Sequence, residues 1–558
     1  MENNTQGYVP YVPAPAAPKI KTLDFKKSDY IFAILFAVSS VLLAFIGITE
    51  RMALGYTVSH IVFLAVFAAY LLKNGKLNVL SLFSLIASAA SSVTFSLYVG
   101  DRAIYLAFAL VTASTVLFAL SASGLEVDSF GDILRMAYAA VITPLENAPV
   151  ALKSLFAANK KKGVLQVLLA LAVSIPFLAI VIALLASYDA AFEGLVNYVG
   201  KLIGRIIIKL ILSVILFIIL YSLAVDWKYR LFRDINDTYF NVPKKRFIKN
   251  VFTLTFLILI SIVYLAFIVS QFAYLFNAFR GLLPKNFTFS EYARRGFFEA
   301  EAVTALNLAV MVLFTRFSAR REDGKLPLPV KLIFSFISLF SLFLVVTAGC
   351  KMIMYIGSYG LTVLRLTSSV FMIATISFVI AFIIKLFRPE LKPIKYAVVF
   401  SLMLFTALSL AGIDRTVASY NVNAYINGKL PSVDLTMLSE LDPDSTVPYI
   451  VRLAELEDNE NAKVAAAADE ALNYICYERY YSSMDYETYF DALVKDGNIF
   501  RSALMRSCSK KAFDSHKVLG GIPEYRYFRP PYAFDDEIYY ETQTETQAQT
   551  TTEPLQDI

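Results

Sequence analysis

Two histidines, three cysteines and a single tryptophan in 558 residues set the first limits on what this chain can do. His60 and His516 are too few for a histidine-rich metal centre, and Cys350, Cys476 and Cys508 match no metal or redox spacing. Cys476 and Cys508 could pair only in an extracytoplasmic domain, and spacing alone does not establish disulfide geometry. With Trp227 alone against 45 Phe and 33 Tyr, an interfacial aromatic belt has to be built largely from tyrosine. Charge is scarce too: 17% of residues carry it, against about a quarter in soluble proteins. The zincin helix, the phosphate-binding P-loop and the hydrolase nucleophile elbow are all missing. The Gly-Asp of "YVGDR" at 98–102 falls in a loop between apolar runs, which argues against an intramembrane aspartyl protease. No catalytic residue, cofactor or metal site is expected.

What is present is hydrophobic sequence, 57% of the chain. About twenty apolar residues cross a hydrocarbon core as a helix, the only open structure that satisfies its own backbone in lipid. Eleven runs qualify: 30–49, 56–72, 77–99, 102–122, 164–186, 204–225, 251–278, 297–316, 332–354, 361–384 and 396–412. The expected fold is therefore all-α, a polytopic transmembrane bundle of about 11 spans followed by a small, mostly helical extracytoplasmic domain. Its divisions are a disordered cytoplasmic tail (1–28), a membrane domain (29–412), an acidic helical domain (413–535) and a disordered tail (536–558). The opening stretch carries polar residues, Pro and Ala before its lysines, and reads as a tail rather than a signal peptide.

Lysine and arginine are retained on the cytoplasmic side, so their placement gives a direction. With the amino terminus inside, the inner segments hold 27 of them and the outer segments nine. The bias recurs at alternate loops, which supports an odd number of crossings in the cell membrane. The basic loops are thus explained by topology, and no nucleic-acid partner is expected; membrane lipids and an envelope protein are the expected partners.

Two connections carry helical periodicity. Phe192, Leu195, Val196, Val199 and Leu202 predict a helix lying on the outer interface, with Gly200 and Gly204 as a lone GxxxG. Phe130, Ile133, Leu134 and Ala137 predict a second on the inner side, broken near Pro144. Beyond residue 413 the balance turns acidic, 13 Lys and Arg against 25 Asp and Glu. There "SVDLTMLSEL", "VPYIVRLAEL" with Pro448 in its first turn, and "NAKVAAAADEALNYICYERYY" predict short packed helices.

The charged residues at one span entrance supply the candidate site. In "SEYARRGFFEAEAVTALN" (290–307), Thr288 and Glu291 are spaced as a capping box for a helix descending from the outer surface. Arg294 and Arg295 can reach headgroup phosphates, whereas Glu299 and Glu301 have shorter reach. Counted from Phe297 at 1.5 Å per residue, Glu301 lies about 6 Å deep and Asn307 roughly 15 Å. Arg365 lies about 6 Å inside the span that starts near Leu361, and Lys209 is a second cation in the outer half. These residues predict a polar pocket open to the exterior, in which Glu299 or Glu301 pairs with Arg365, assisted by Lys209, with Asn307 extending it inward. Charges near helix ends also serve merely to fix register, and that alternative stands beside the pocket.

"SEYARRGFFEA" at 290–300, "GLTVLRL" at 360–366 and "YNVNAYINGKLPSVDLTMLSELDPDSTVP" at 420–448 together resemble an uncharacterised family of bacterial multi-pass membrane proteins, the domain-of-unknown-function 4153 and 4173 group. The matching positions are Tyr292, Ala293, Arg294, Gly296, Phe297, Phe298 and Glu299; Gly360, Leu361, Thr362 and Arg365; and Tyr420, Asn421, Asp434, Leu438 and Pro448. The resemblance covers roughly 160–450 and departs from the family pattern at Ser445 and Thr446. It implies an integral membrane protein without an assigned activity. Three functions remain open: a non-enzymatic protein that senses, binds or scaffolds in the envelope; a transporter of a small solute or lipid; and an outer-leaflet transferase acting on a lipid-linked substrate.

Overall fold

The computed structural model describes residues 23–480, apart from 49–53, 74, 99, 158–180, 182–184, 186–187, 189, 232–247, 280–296, 322–324 and 457–460. Among the described residues every regular element is a helix, and the one β contact is a bridge between Ile248 and Ser318. Helix α1 (Lys27–Leu42) passes into a π-turn at Leu43–Gly47 and is followed by α2 (Leu54–Leu72), α3 (Val79–Leu97), α4 (Asp101–Ala122) and α5 (Phe130–Ala157). Then come α6 (Ala190–Tyr229), α7 (Asn250–Phe279), α8 (Phe297–Phe317), α9 (Leu328–Tyr359), α10 (Val363–Phe387) and α11 (Pro393–Ala411). A terminal cap consists of α12 (Ile413–Ile426), α13 (Leu435–Ser439), α14 (Pro443–Ala454) and α15 (Ala462–Tyr480).

Ten of the described helices are long and apolar enough to cross a membrane, so the chain is an all-α multi-pass membrane protein. They coincide with ten of the eleven apolar runs; the run at 164–186 lies almost wholly outside the described residues.

Contacts sort the helix ends onto two faces. On one, Asp29 at the start of α1 meets Tyr70 near the end of α2 and Lys228 at the end of α6. On that face Asn78 before α3 meets Ser121 at the end of α4, Lys392 before α11 pairs with Glu126, and Ile248 bridges to Ser318. On the other face Tyr98 donates to the Leu410 carbonyl, Arg102 pairs with Asp414, and Asn421 pairs with Leu361. Lysine and arginine are concentrated near the first group of ends and few near the second.

Small polar residues fasten the spans to one another. In α3, Ser84, Ser88, Ser91, Ser92 and Thr94 are buried. Ser88 Oγ bonds His60 Nε2 at 2.9 Å and Thr115 Oγ1 at 2.7 Å, and Thr94 Oγ1 bonds Ser409 Oγ at 2.9 Å. Small side chains let helices approach closely where lipid offers no hydrophobic gain from association. Around α1, α2 and α6 an aromatic core gathers Phe36, Phe67, Tyr70 and Trp227, each no more than 1% exposed.

Three local expectations are corrected. The segment expected to lie on the outer interface continues without interruption into the next span as the 40-residue α6, about 60 Å of helix, because no proline separates the two and the glycines there do not end it. Helix α5 runs through Pro144; packing of Met136, Ala139 and Ala151 into the aromatic core, with Trp227 Nε1 donating to the Ala139 carbonyl, offsets the missing backbone bond. The first-turn proline of α14 is Pro443 and Pro448 lies inside the helix, since Asp442 supplies the N-cap position and Ser445 Oγ bonds its carboxylate.

The cap has a core of its own. Leu435, Leu438, Ile450, Leu453, Ala468 and Leu472 are all fully buried in it. In α15 the buried set Val464, Ala467, Ala468, Ala471 and Leu472 has the spacing of one helix face. Two glycines allow the cap to seat on the spans. Gly360 has φ 76° and Gly412 φ 75°, a region disfavoured for other residues. A Cβ at Gly360 would stand 2.5 Å from Asn421 Oδ1, and one at Gly412 would stand 2.5 Å from the Tyr98 ring.

Candidate functional site

Helix α8 presents Glu301, Thr304 and Asn307 at three-residue steps, followed by Met311, so these groups share one face inside the bundle. Glu301 Oε2 accepts from Thr375 Oγ1 of α10 at 3.2 Å, while its Oε1 is buried with no hydrogen-bond partner among the described residues. Thr304 is fully buried and its hydroxyl also lacks a partner. Asn307 accepts from Tyr264 of α7 at 2.5 Å and donates to Ser341 Oγ of α9 at 2.9 Å. Ser338 Oγ donates to Met311 Sδ at 3.2 Å. The surroundings are apolar, with Ala300, Leu344, Val345, Ala348 and Met372 buried nearby. An ionisable group at such a position costs several kcal/mol in general and can carry out proton or ion chemistry.

The remaining expected site residues are placed elsewhere. Arg365 Nη1 donates to the carbonyls of Tyr359 at 3.1 Å and Gly360 at 2.6 Å, and its guanidinium lies 3.7 Å from the centre of the Tyr355 ring. It therefore caps the C-terminus of α9, where a cation satisfies orphan carbonyls and the helix dipole. Thr375, which holds Glu301, lies ten residues further along α10, about 15 Å by helical rise. The expected pairing with Arg365 does not form. Depth was counted from each helix start, and α8 enters lower in the bundle than α10 does.

Lys209 behaves like Arg365. Its Nζ donates to the Phe45 carbonyl at 3.2 Å, at the π-turn that ends α1, and sits 5.8 Å from the Phe45 ring centre. Glu299 is exposed in the first turn of α8. Arg294, Arg295, Thr288 and Glu291 lie outside the described residues. Of the expected pocket, Glu301 and Asn307 alone share a described stripe.

Charge counting passed over a second cluster. Lys228 Nζ lies 2.6 Å from Asp29 Oδ1, with the two side chains only 3% and 1% exposed. Tyr70 OH donates to the same oxygen at 2.9 Å; Tyr229 OH and the Lys26 backbone N–H donate to Oδ2 at 3.0 and 2.8 Å. Lys228 also lies 3.7 Å from the centre of the Tyr70 ring. The sequence signal is an acid and a base each placed at the edge of an apolar run.

On the cap, α12 and Tyr449 border an open polar groove of about 550 Å³. Its cations are Arg415 and Lys429, with Tyr420, Asn423 and Asn427 beside them and no carboxylate among the described lining residues. Burial raises the Tyr449 hydroxyl, but hydrogen bonds from Arg415 and Ser419 outweigh it and hold the group below its ordinary value. The groove is suited to a polar ligand rich in acceptors.

The cap is joined to the spans by bonds rather than by apolar contact alone. Leu361 N–H donates to Asn421 Oδ1 at 2.6 Å and Asn421 Nδ2 donates to the Leu361 carbonyl at 2.7 Å, so one amide satisfies both backbone groups at the α9–α10 turn. Asp414 Oδ2 accepts from Arg102 Nη1 at 3.1 Å and from the Asp442 backbone N–H at 3.0 Å.

Comparison with protein families gives one finding. The model of a family described as a domain of unknown function, DUF4153, matches residues 60–453, which runs from α2 into α14. No curated protein matches the chain, and no solved structure does.

Proposed function

Because the chain belongs to the DUF4153 family, whose match takes in the spans and most of the cap together, we propose that both act as one non-enzymatic binding unit in the cell membrane. The cation-rich face is cytoplasmic and the cap is extracytoplasmic in this reading, following the rule that lysine and arginine are retained inside. The cap groove receives a polar segment of an envelope partner or a similar soluble ligand, lipids surround the spans, and nucleic acid has no part.

The observation that carries the reading is the Asn421 amide gripping both backbone groups of Leu361. A shift of α12 on binding has to move the start of α10 or break two buried hydrogen bonds, each costing about 1–3 kcal/mol when left unmade. The test is hydrogen exchange of the full chain in nanodiscs, with a neutral oligosaccharide and an acidic peptide as probes. Changed protection in the groove that extends to residues 361–366, and no longer does so in Asn421→Ala, is expected. Groove protection that leaves 361–366 unaltered in the parent chain refutes the coupling.

Glu301 favours a second reading, a transporter of a small solute or lipid that uses the carboxyl as a proton carrier. Proteoliposomes holding a pH-sensitive dye separate the two. Substrate-driven proton movement abolished by Glu301→Gln would establish transport.

A further inference from the structure

At the cation-rich face the ends of α8 and α10 and the starts of α9 and α11 enclose a pocket of about 240 Å³. Arg316, Arg320, Lys325, Lys331 and Lys385 all line it, with no carboxylate among the described lining residues. Topology accounts for cations lying on this face, but not for five of them converging on one cavity. The inner wall is apolar, with Phe382 and Leu386 buried in the α7–α10 core. The mouth is therefore strongly positive and the floor continuous with the hydrocarbon-facing bundle.

Two of the five cations, Arg320 and Lys385, are oriented by backbone carbonyls. Arg320 Nη2 donates to the Thr315 carbonyl at 2.8 Å, at the end of α8. Lys385 Nζ donates to the carbonyls of Pro389 and Leu391 at 2.7 and 2.8 Å. Among the described residues Arg316, Lys331 and Lys385 form no ion pair. The carbonyls that hold Lys385 orient it but leave its charge available to an anion. The same face shows what neutralisation looks like, because Lys392 engages both Glu126 and Asp128.

We propose that this pocket binds a phosphate-bearing anion, presented as the headgroup of an acidic phospholipid. The size fits a compact group, since pockets for drug-sized ligands run from about 300 to 1,000 Å³. Basic pockets between span ends are suited to acidic headgroups, and the arginines can engage phosphate oxygens in bidentate fashion. The apolar wall leads the acyl chains back into the bilayer. The inference is independent of the cap groove and of which face is cytoplasmic.

The test uses the purified full chain in a neutral detergent, with phosphatidylglycerol, phosphatidylcholine and inorganic phosphate as separate probes, and bound species counted by native mass spectrometry. Phosphatidylglycerol is expected to bind in preference to phosphatidylcholine. In the variant combining Arg316→Gln, Lys331→Gln and Lys385→Gln its affinity should fall by about a hundredfold, from the effect per cation near a membrane surface. The pair Lys392→Gln and Lys395→Gln, on the same face, should leave affinity within about threefold. A photo-crosslinking phosphatidylglycerol on the unmutated chain provides an arm that needs no variant to fold, and its crosslinks should map to the ends of α8 and α10. Displacement of the lipid by inorganic phosphate supports the same site with free phosphate as the physiological occupant. Equal loss of lipid in both variants, or crosslinks spread evenly around the bundle, overturns the proposal.

Discussion

Lys228→Met is the most informative single perturbation of the membrane domain, because it strands a carboxylate that is 1% exposed. Asp29 would keep the Tyr70 and Tyr229 hydroxyls and the Lys26 N–H as donors but would lose the one cation that pairs with it among the described residues. Breaking a buried pair from one side generally costs about 3–5 kcal/mol, and the three remaining donors place the expected loss near 3. The reverse change, Asp29→Asn, should cost less, about 1–2 kcal/mol. The new amide oxygen still accepts from a tyrosine, and the lysine stem at the end of α6 can extend towards the cation-rich face. Combining Asp29→Asn with Lys228→Met removes both charges and should cost about 2 kcal/mol less than the two losses added together. The neighbouring Trp227 is the only tryptophan and is 1% exposed, so its emission during denaturant titration in nonionic micelles reports on this core directly. Strict additivity of the two single losses would show that the ion pair contributes nothing as a pair, and the reasoning would fail.

Gly360→Ala should destabilise seating of the cap by about 1–3 kcal/mol through its positive φ, with the Asn421 clash in addition, seen as faster exchange in α12 while α1–α3 stay protected. Asn307→Leu leaves the Tyr264 hydroxyl without its acceptor and should cost about 1–3 kcal/mol, whereas adding Tyr264→Phe should recover most of it in thermal unfolding. On the cation-rich face, the hydrogen bond from Lys392 holds the Glu126 carboxyl below its ordinary value. A lowered carboxylate contributes stability above its unfolded value near 4.5 and loses it as pH falls through the folded value. The pair is largely exposed, so the gap between the parent chain and Glu126→Gln should be below about 1 kcal/mol at pH 7 and shrink as pH falls below the unfolded value, or in high salt; a gap that does not shrink on acidification would contradict this account.

The spans were legible because hydrocarbon imposes one strong rule on every crossing, a run of about twenty apolar residues, and charge asymmetry then pairs their ends. Leu435, Leu438 and Leu441 were legible for a related reason, since their spacing is the period of a buried helix face. Depth was harder to read. Glu301 and Arg365 each lie about 6 Å from a helix start by counting, yet Glu301 meets Thr375, because counting cannot supply the level at which each helix begins. Arg365 and Lys209 looked like site residues because they are cations within apolar runs; the carbonyls of Gly360 and Phe45 that occupy them carry no signal in side-chain identity. Proline was misjudged at 144 because tertiary packing overrides local preference, and at 448 because the helix starts earlier, at Pro443 behind Asp442.

The tight seating at Gly360 and Gly412 bears on how the two parts of this molecule can be handled and how they evolve. Each glycine leaves a notch filled by a side chain from the opposite part, Asn421 in one case and Tyr98 in the other. The cap is therefore not a portable module. Grafted onto unrelated spans it would meet a methyl group or larger where it needs empty space, and expressed alone it would present an unsatisfied amide where Leu361 belongs. Exchanges between relatives should succeed only when the receiving turn and the incoming helix travel together.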